Sequence, residues 1–321
     1  MALPVNTVTT FDRSTMNRED LLDMIYDVSP TETPFISGIA RVKATATLHE
    51  WQGDLLDSAT TQAYLEGDDA TADSRSAPTR YSNRCQIFRK VISISGTQRQ
   101  VRSAGASDEY DRQLVKVGKE LKRNIEKTLL GTQNKDSPTG TATARQLGGV
   151  CSWLSANLYK MTSTGTTPGN GTGYVAGTGL TVTTATQLQD PVATVIAQCW
   201  NNGGDPAVIM VDSNAKRFLS KITGIATLYR DIPPGSQGQI IQGASVLVSD
   251  FGEHTIVPNR FMPSSQIYFL DMQYWAFAEL RPISEVALAK TGDADRAMLI
   301  TEGTLECRTP YSSGKIGEVL Y

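Results

Sequence analysis

An α+β fold is predicted from three observations on this 321-residue chain. A long helix with a narrow apolar stripe occupies 107–130. A β-rich region with a long polar tip occupies 44–95. A run of short strands from 245 onward follows one α/β passage at about 186–244. Residues 1–43 read as an arm. Within it, Asn17 caps a short amphipathic helix, with Asp20 three residues on, and Leu21, Leu22, Ile25 and Tyr26 share one face. Pro30 and Pro34 hold the following chain extended. Phe35, Ile36 and Ile39 then follow with no local element to bury them, so their partner is expected on another subunit.

Residues 44–51 (ATATLHEW) alternate as a strand should, and 86–95 (QIFRKVISIS) is β-rich by propensity. The polar passage 53–77 between them predicts a projecting hairpin, with a reach of at most ~60 Å at about 3.3 Å per residue. Its outgoing half carries Asp54, Asp57, Glu66, Asp68, Asp69 and Asp73. Its returning half carries Arg75, Arg80, Arg84, Arg89 and Lys90. These charges either pair within the hairpin or steer it onto an adjacent subunit, since complementary charge sets register more than affinity.

In 107–130, Tyr110, Leu114, Val117, Leu121, Ile125 and Leu129 recur at three- and four-residue steps. Ser107 is the expected cap, Asp108, Glu109 and Asp111 complement the positive end, and Gly131 follows the last turn. The opposite face, with Lys116, Lys119, Glu120, Lys122, Arg123, Glu126 and Lys127, reads as solvated or touching a neighbour. Residues 162–184, rich in Thr and Gly, read as a flexible hairpin or loop.

The α/β passage begins with a helix ending at Trp200. Its start is either Asp190-Pro191, as cap and first residue, or a point near Thr186. A strand at 207–211 follows, then a helix capped by Asp212 or Ser213. Strands are expected at 245–249, 266–270, 275–281, 286–290 and 298–309.

Composition excludes several classes. A net charge of −3 gives no basic face for a nucleic-acid binder, yet suits a protein that encloses DNA without gripping it. The four cysteines, Cys85, Cys151, Cys199 and Cys307, show no metal or disulfide spacing and fit a reducing cytoplasm. No secretory signal is recognisable, and no stretch reaches the ~20 apolar residues of a membrane span. Asp250-Phe251-Gly252 copies the kinase magnesium tripeptide without its companion motifs, so a strand-end turn is expected. The glycines of 165–179 fit no phosphate-binding pattern. His49 and His254 have no nucleophile motif beside them, and Glu66, Asp68 and Asp69 lack calcium-loop spacing. Neither catalytic, cofactor-binding nor metal-ligating residues are expected.

Ten stretches, in order along nearly the whole chain, carry a resemblance. They are SPTETPFISGI (29–39), YLEGDDA (64–70), NRCQIFRKVISISGTQ (83–98), the helix after Gly105, WNNGGDP (200–206), SDFG (249–252), IVPNRFMP (256–263), LRP (280–282), AKTGDADR (289–296) and TEGTLE (301–306). Together they resemble the major capsid (head) proteins of tailed bacteriophages with the Hong Kong 97-type fold, closest to the SU-ten-like short-tailed group.

The resemblance implies an N-terminal arm (1–43), an extended loop (44–95) and a peripheral domain with a spine helix (96–185). It further implies an axial domain (186–244) and C-terminal strands (245–321) returning to both domains. It implies hexamers and pentamers of this chain in an icosahedral shell around double-stranded DNA, assembled in the host bacterial cytoplasm. Portal, separate scaffold and decoration proteins would be its partners, with no membrane. Some family members join subunits through Lys–Asn isopeptide bonds; the required Lys, Asn and Glu match no positions here, so none is expected. Inter-subunit contacts are then expected at Phe35, Ile36, Ile39, Trp51, Glu66, Asp68, Asp69, Arg80, Arg84, Phe88, Arg89 and Lys90, with Phe35, Trp51 and Phe88 as hot spots. An encapsulin-like compartment is the near alternative, and an α/β hydrolase or binding protein the distant one.

Overall fold

The computed structural model describes residues 31–57, 59–69, 75, 77–101, 108–138, 143–162, 169–222, 245–290 and 292–321. The helix expected after Asn17, with Asp20, Leu21, Leu22, Ile25, Tyr26 and Pro30, lies outside the described residues. So do Ser107, Asp73 and positions 163–168 of the Thr/Gly stretch.

The spine helix runs Glu109–Leu129, about 32 Å at 1.5 Å per residue. Asp108 is its cap, accepting the Tyr110 N–H at 2.8 Å, so the helix starts two residues later than its expected span. Val117, Leu121, Ile125 and Leu129 are buried, with Tyr110 and Leu114 packed at the margin, which is the stripe the spacing predicts. Glu126 departs from expectation: it too is buried.

Beneath the spine lies a four-stranded sheet in the order Ala40–Lys43, Trp275–Ala287, Ala294–Cys307, Gln86–Ser95. The first pair is parallel and the others antiparallel. Expected strands 275–281 and 286–290 prove to be one strand, although Pro282 lies inside it. Its neighbour Ala40–Lys43 pairs only as far as Glu279, so the missing N–H of Pro282 falls where that edge has no partner strand. Register shifts between Glu279 and Ser284 absorb the irregularity.

The hairpin also differs from expectation. Leu48–Gly53 pairs antiparallel with Thr79–Arg84, whereas Gln86–Ser95 leaves the hairpin and joins the sheet along Ala294–Gly303. Phe88, Ile92 and Ile94 point into the core beneath the spine, so burial draws this segment to the body. The paired part is thus six residues a side, about 20 Å, and the described residues 54–57, 59–69, 75, 77 and 78 lie outside that pairing.

The second sheet has six strands, in the order Asn157–Lys160, Gly314–Gly317, Gln266–Leu270, Val208–Val211, Gly252–Pro258, Val246–Ser249. It separates two cores by strict alternation. Met210, Tyr268 and Leu270 face the spine core, which also holds Phe35, Trp153 and Trp275. Ile209, Val211, Ile267, Phe269 and Ile316 face a core closed by helices Thr186–Asn201 and Ser213–Leu219. The first helix starts at Thr186, the later-numbered alternative at Asp190 being overruled, and carries Pro191 inside. Asp212 caps the second, accepting the Ala215 N–H at 2.8 Å.

Candidate inter-subunit surface

The expected arm contacts turn inward. Phe35 is fully buried, with its ring edge-on to Trp275 at 6.2 Å, and Ile36 and Ile39 lie in the same core. The Phe35 and Ile36 N–H groups each donate to the Glu126 carboxylate at 2.8 Å, and Asn259 Nδ2 donates at 2.7 Å. Burial raises the Glu126 pKa from its ordinary value, against the three donors that lower it. The expectation that Phe35, Ile36 and Ile39 await another subunit is therefore corrected: their side chains are buried in the subunit's own core, and the distant Glu126 carboxylate anchors the Phe35 and Ile36 backbone. Truncating Phe35 would open a cavity in the subunit's own core rather than strip a hot spot.

The hairpin root is likewise tied to its own body. Trp51 Nε1 donates to the Cys307 carbonyl at 2.7 Å, and its ring lies 5.3 Å from Trp153 and 6.3 Å from Tyr81. Asn83 bridges the Gly148 backbone and the Leu305 carbonyl, and Lys135 Nζ donates to the Ser82 carbonyl at 2.8 Å. Arg84 reaches Ser137 Oγ at 3.0 Å, Lys90 pairs with Glu120 of the spine at 3.2 Å, and Phe88 is buried. Phe88 is thus corrected from hot spot to internal anchor, Trp51 is half-buried and bonded to its own body, and Arg84 and Lys90 are engaged within the subunit. Arg80 lies 3.7 Å from Glu50 across the hairpin, exposed, and Arg89 is exposed beside the spine.

His49 Nε2 lies 2.9 Å from Glu306 at this root. Its hydrogen bond, with that of Arg308, holds the Glu306 pKa below its ordinary 4.5 against desolvation. A depressed carboxylate contributes stability present above the unfolded pKa and lost as pH falls through the folded one. His49→Ala is therefore expected to lower the melting temperature at pH 6, with the deficit shrinking as pH is taken below about 4.5. Equal deficits at pH 6 and pH 3 would show that the pair does not hold the root.

What projects is the tip. Glu66, Asp68 and Asp69 are exposed, and the turn is held locally by Asp68 N–H to the Leu65 carbonyl at 3.1 Å. Between the acids stand four apolar residues missed as site residues: Leu55 is 54% exposed, Leu56 98%, Tyr64 74% and Leu65 82%. Their signal was in the sequence, as isolated large apolar side chains in a polar passage.

The former motif candidates resolve into structure. Asp250-Phe251-Gly252 is the turn between two paired strands, as expected, with Gly252 at φ 146°. His254 does meet a serine, Ser249 Oγ at 2.8 Å, while its Nδ1 lies 2.7 Å from the Pro206 carbonyl. The imidazole is buried, and the pair staples two turns together. Among the described residues, no group of three or more His, Cys, Asp or Glu side chains could hold a metal.

A spine helix across one sheet, a second sheet domain and a projecting hairpin define the Hong Kong 97-type capsid fold, the class of shell-forming phage subunits. The family model described as SU10 major capsid protein matches residues 4–320. The chain belongs to that family: it is a major capsid protein, a structural component of the virion capsid and not an enzyme. It is similar to the major capsid protein of Escherichia phage Phieco32, 28% identical over 323 residues, covering 89% of this chain and 90% of that one. Among solved structures it is similar to the capsid asymmetric unit of cyanophage A-1(L), with TM-score 0.67 and 11% identity over 97% of this chain and 99% of that one. It is also similar to a chain from Microbacterium phage Oxtober96, with TM-score 0.63 and 12% identity over 97% and 99%.

Proposed function

We propose that this major capsid protein assembles into hexamers and pentamers closing around double-stranded DNA, and that the hairpin tip makes the subunit-to-subunit contact. The tip supports this reading best, because it is the part of the described hairpin with large apolar residues in water and few bonds to its own body. A tip gripping a different surface on the next copy is a head-to-tail contact, and such contacts close into rings. Glu66, Asp68 and Asp69, with Arg80 and Arg89, set register in that contact.

The spine core would form the peripheral domain and the core beyond the six-stranded sheet the axial domain, which draws strands from outside 186–244 as well. Assembly takes place in the bacterial cytoplasm, with portal, scaffold and decoration proteins as partners. The test is electron microscopy of the purified chain with and without its scaffold. Closed shells containing nucleic acid after infection support the reading. Shells holding only enzyme cargo favour an encapsulin-like compartment, and soluble monomers under all conditions refute both.

A further inference from the structure

Lys315 lies on the second strand of the six-stranded sheet, on the face turned to the spine core, and is almost wholly buried. Its Nζ donates to the Cys151 carbonyl at 2.6 Å and to Cys151 Sγ at 3.1 Å, and lies 4.8 Å from the centroid of the Tyr174 ring. Among the described residues, no carboxylate bonds or ion-pairs with this ammonium. Burial lowers the Lys315 pKa from its ordinary value, opposed by the Cys151 sulfur and the Glu318 carboxylate. Cys151 Sγ also donates toward Gln266 Oε1 at 3.7 Å, so the sulfur sits between the amide oxygen and the lysine nitrogen. An amine nitrogen 3.1 Å from sulfur is in near-attack range.

We propose that Cys151 and Lys315 form a self-cross-linking pair, in which a peroxide-class oxidant converts the thiol to a sulfenic acid and the amine then closes an Sγ–Nζ sulfenamide. In the first step the sulfur lone pair attacks peroxide, an S–O bond forms, the O–O bond breaks and one water leaves. In the second the Nζ lone pair forms the S–N bond as the S–O bond breaks, and the hydroxyl departs with an amine proton as a second water. The pair has then lost two hydrogens and peroxide has been reduced to two waters. Cys151 is fully buried, so the reaction requires local opening of the short helix Val150–Trp153 to admit peroxide. The bond spans 164 residues and ties the central sheet to that helix, a link that forms once a particle leaves a reducing cell.

The other three thiols serve as internal controls. Burial pushes Cys85 up to about 11 and Cys199 to about 12, and raises Cys307 further, and among the described residues none has a lysine amine bonded to its sulfur. The experiment treats the full-length protein, purified under reductant, with hydrogen peroxide, followed by intact mass and peptide mapping. The expected result is a loss of about 2 Da, one linked peptide pair carrying Cys151 and Lys315, reversal by thiol reductant and a raised melting temperature. An unchanged Cys151, oxygen atoms retained on it, a cysteine–cysteine link instead, or oxidation spread over all four thiols would each overturn the proposal.

Discussion

Replacing Glu126 by alanine is expected to destabilise the subunit by about 2–4 kcal/mol, because the Phe35 N–H, the Ile36 N–H and Asn259 Nδ2 all lose their acceptor inside the protein. Two effects compete in that figure. Deleting the carboxylate removes the penalty for burying a charge. Leaving three donors without partners costs about 1–3 kcal/mol each, and that effect wins. Glu126→Gln keeps the shape but turns one acceptor into a donor facing an N–H, so it should fall between wild type and alanine.

The pH dependence provides a second check. The Glu126 pKa is raised in the folded state, so the folded chain holds this proton more tightly, and the contribution is fully present below the unfolded pKa of about 4.5. It is lost as pH rises through the raised folded value. That sign is opposite to the Glu306 effect at the hairpin root. Thermal melts of wild type and Glu126→Gln across this window measure it. A variant as stable as wild type at every pH would mean that Glu126 does not anchor the arm.

The second large effect concerns assembly rather than folding. Leu56→Asp combined with Leu65→Asp is expected to abolish shells while leaving the melting temperature within about 1 °C, since both side chains already stand in water. Hot-spot loss of this kind is worth about 2 kcal/mol per residue at each contact, and a closed shell repeats the contact at every subunit. Sedimentation and negative-stain microscopy read the result directly. Normal particle yield from the double variant would move the contact elsewhere, and a collapsed melting temperature would show that the tip packs on its own body.

The comparison of sequence with structure separates along the range of the interactions. The spine stripe from Val117 to Leu129, its acidic first turn and the Asp212 cap were legible because their causes lie within a few residues. The inward turn of Phe35 was not legible, because its partner carboxylate is 91 positions on. Glu126 looked like any charged residue on a solvated face; only the pairing with a distant backbone and with Asn259 of the IVPNRFMP stretch makes it a core residue. Lys315 carried a weak signal, since it alternates with buried Ile316 in a four-residue strand between glycines. For the hairpin, propensity identified 86–95 as a strand but could not say which neighbour it would take, and Ala294–Gly303 took it.

The shared six-stranded wall has a mechanical consequence. Because Tyr268 packs to one side of it and Phe269 to the other, the two cores share one wall. In the shell proposed above, a load on this plate acts on both cores at once, so hydrogen exchange in the described strands should fade from both halves together.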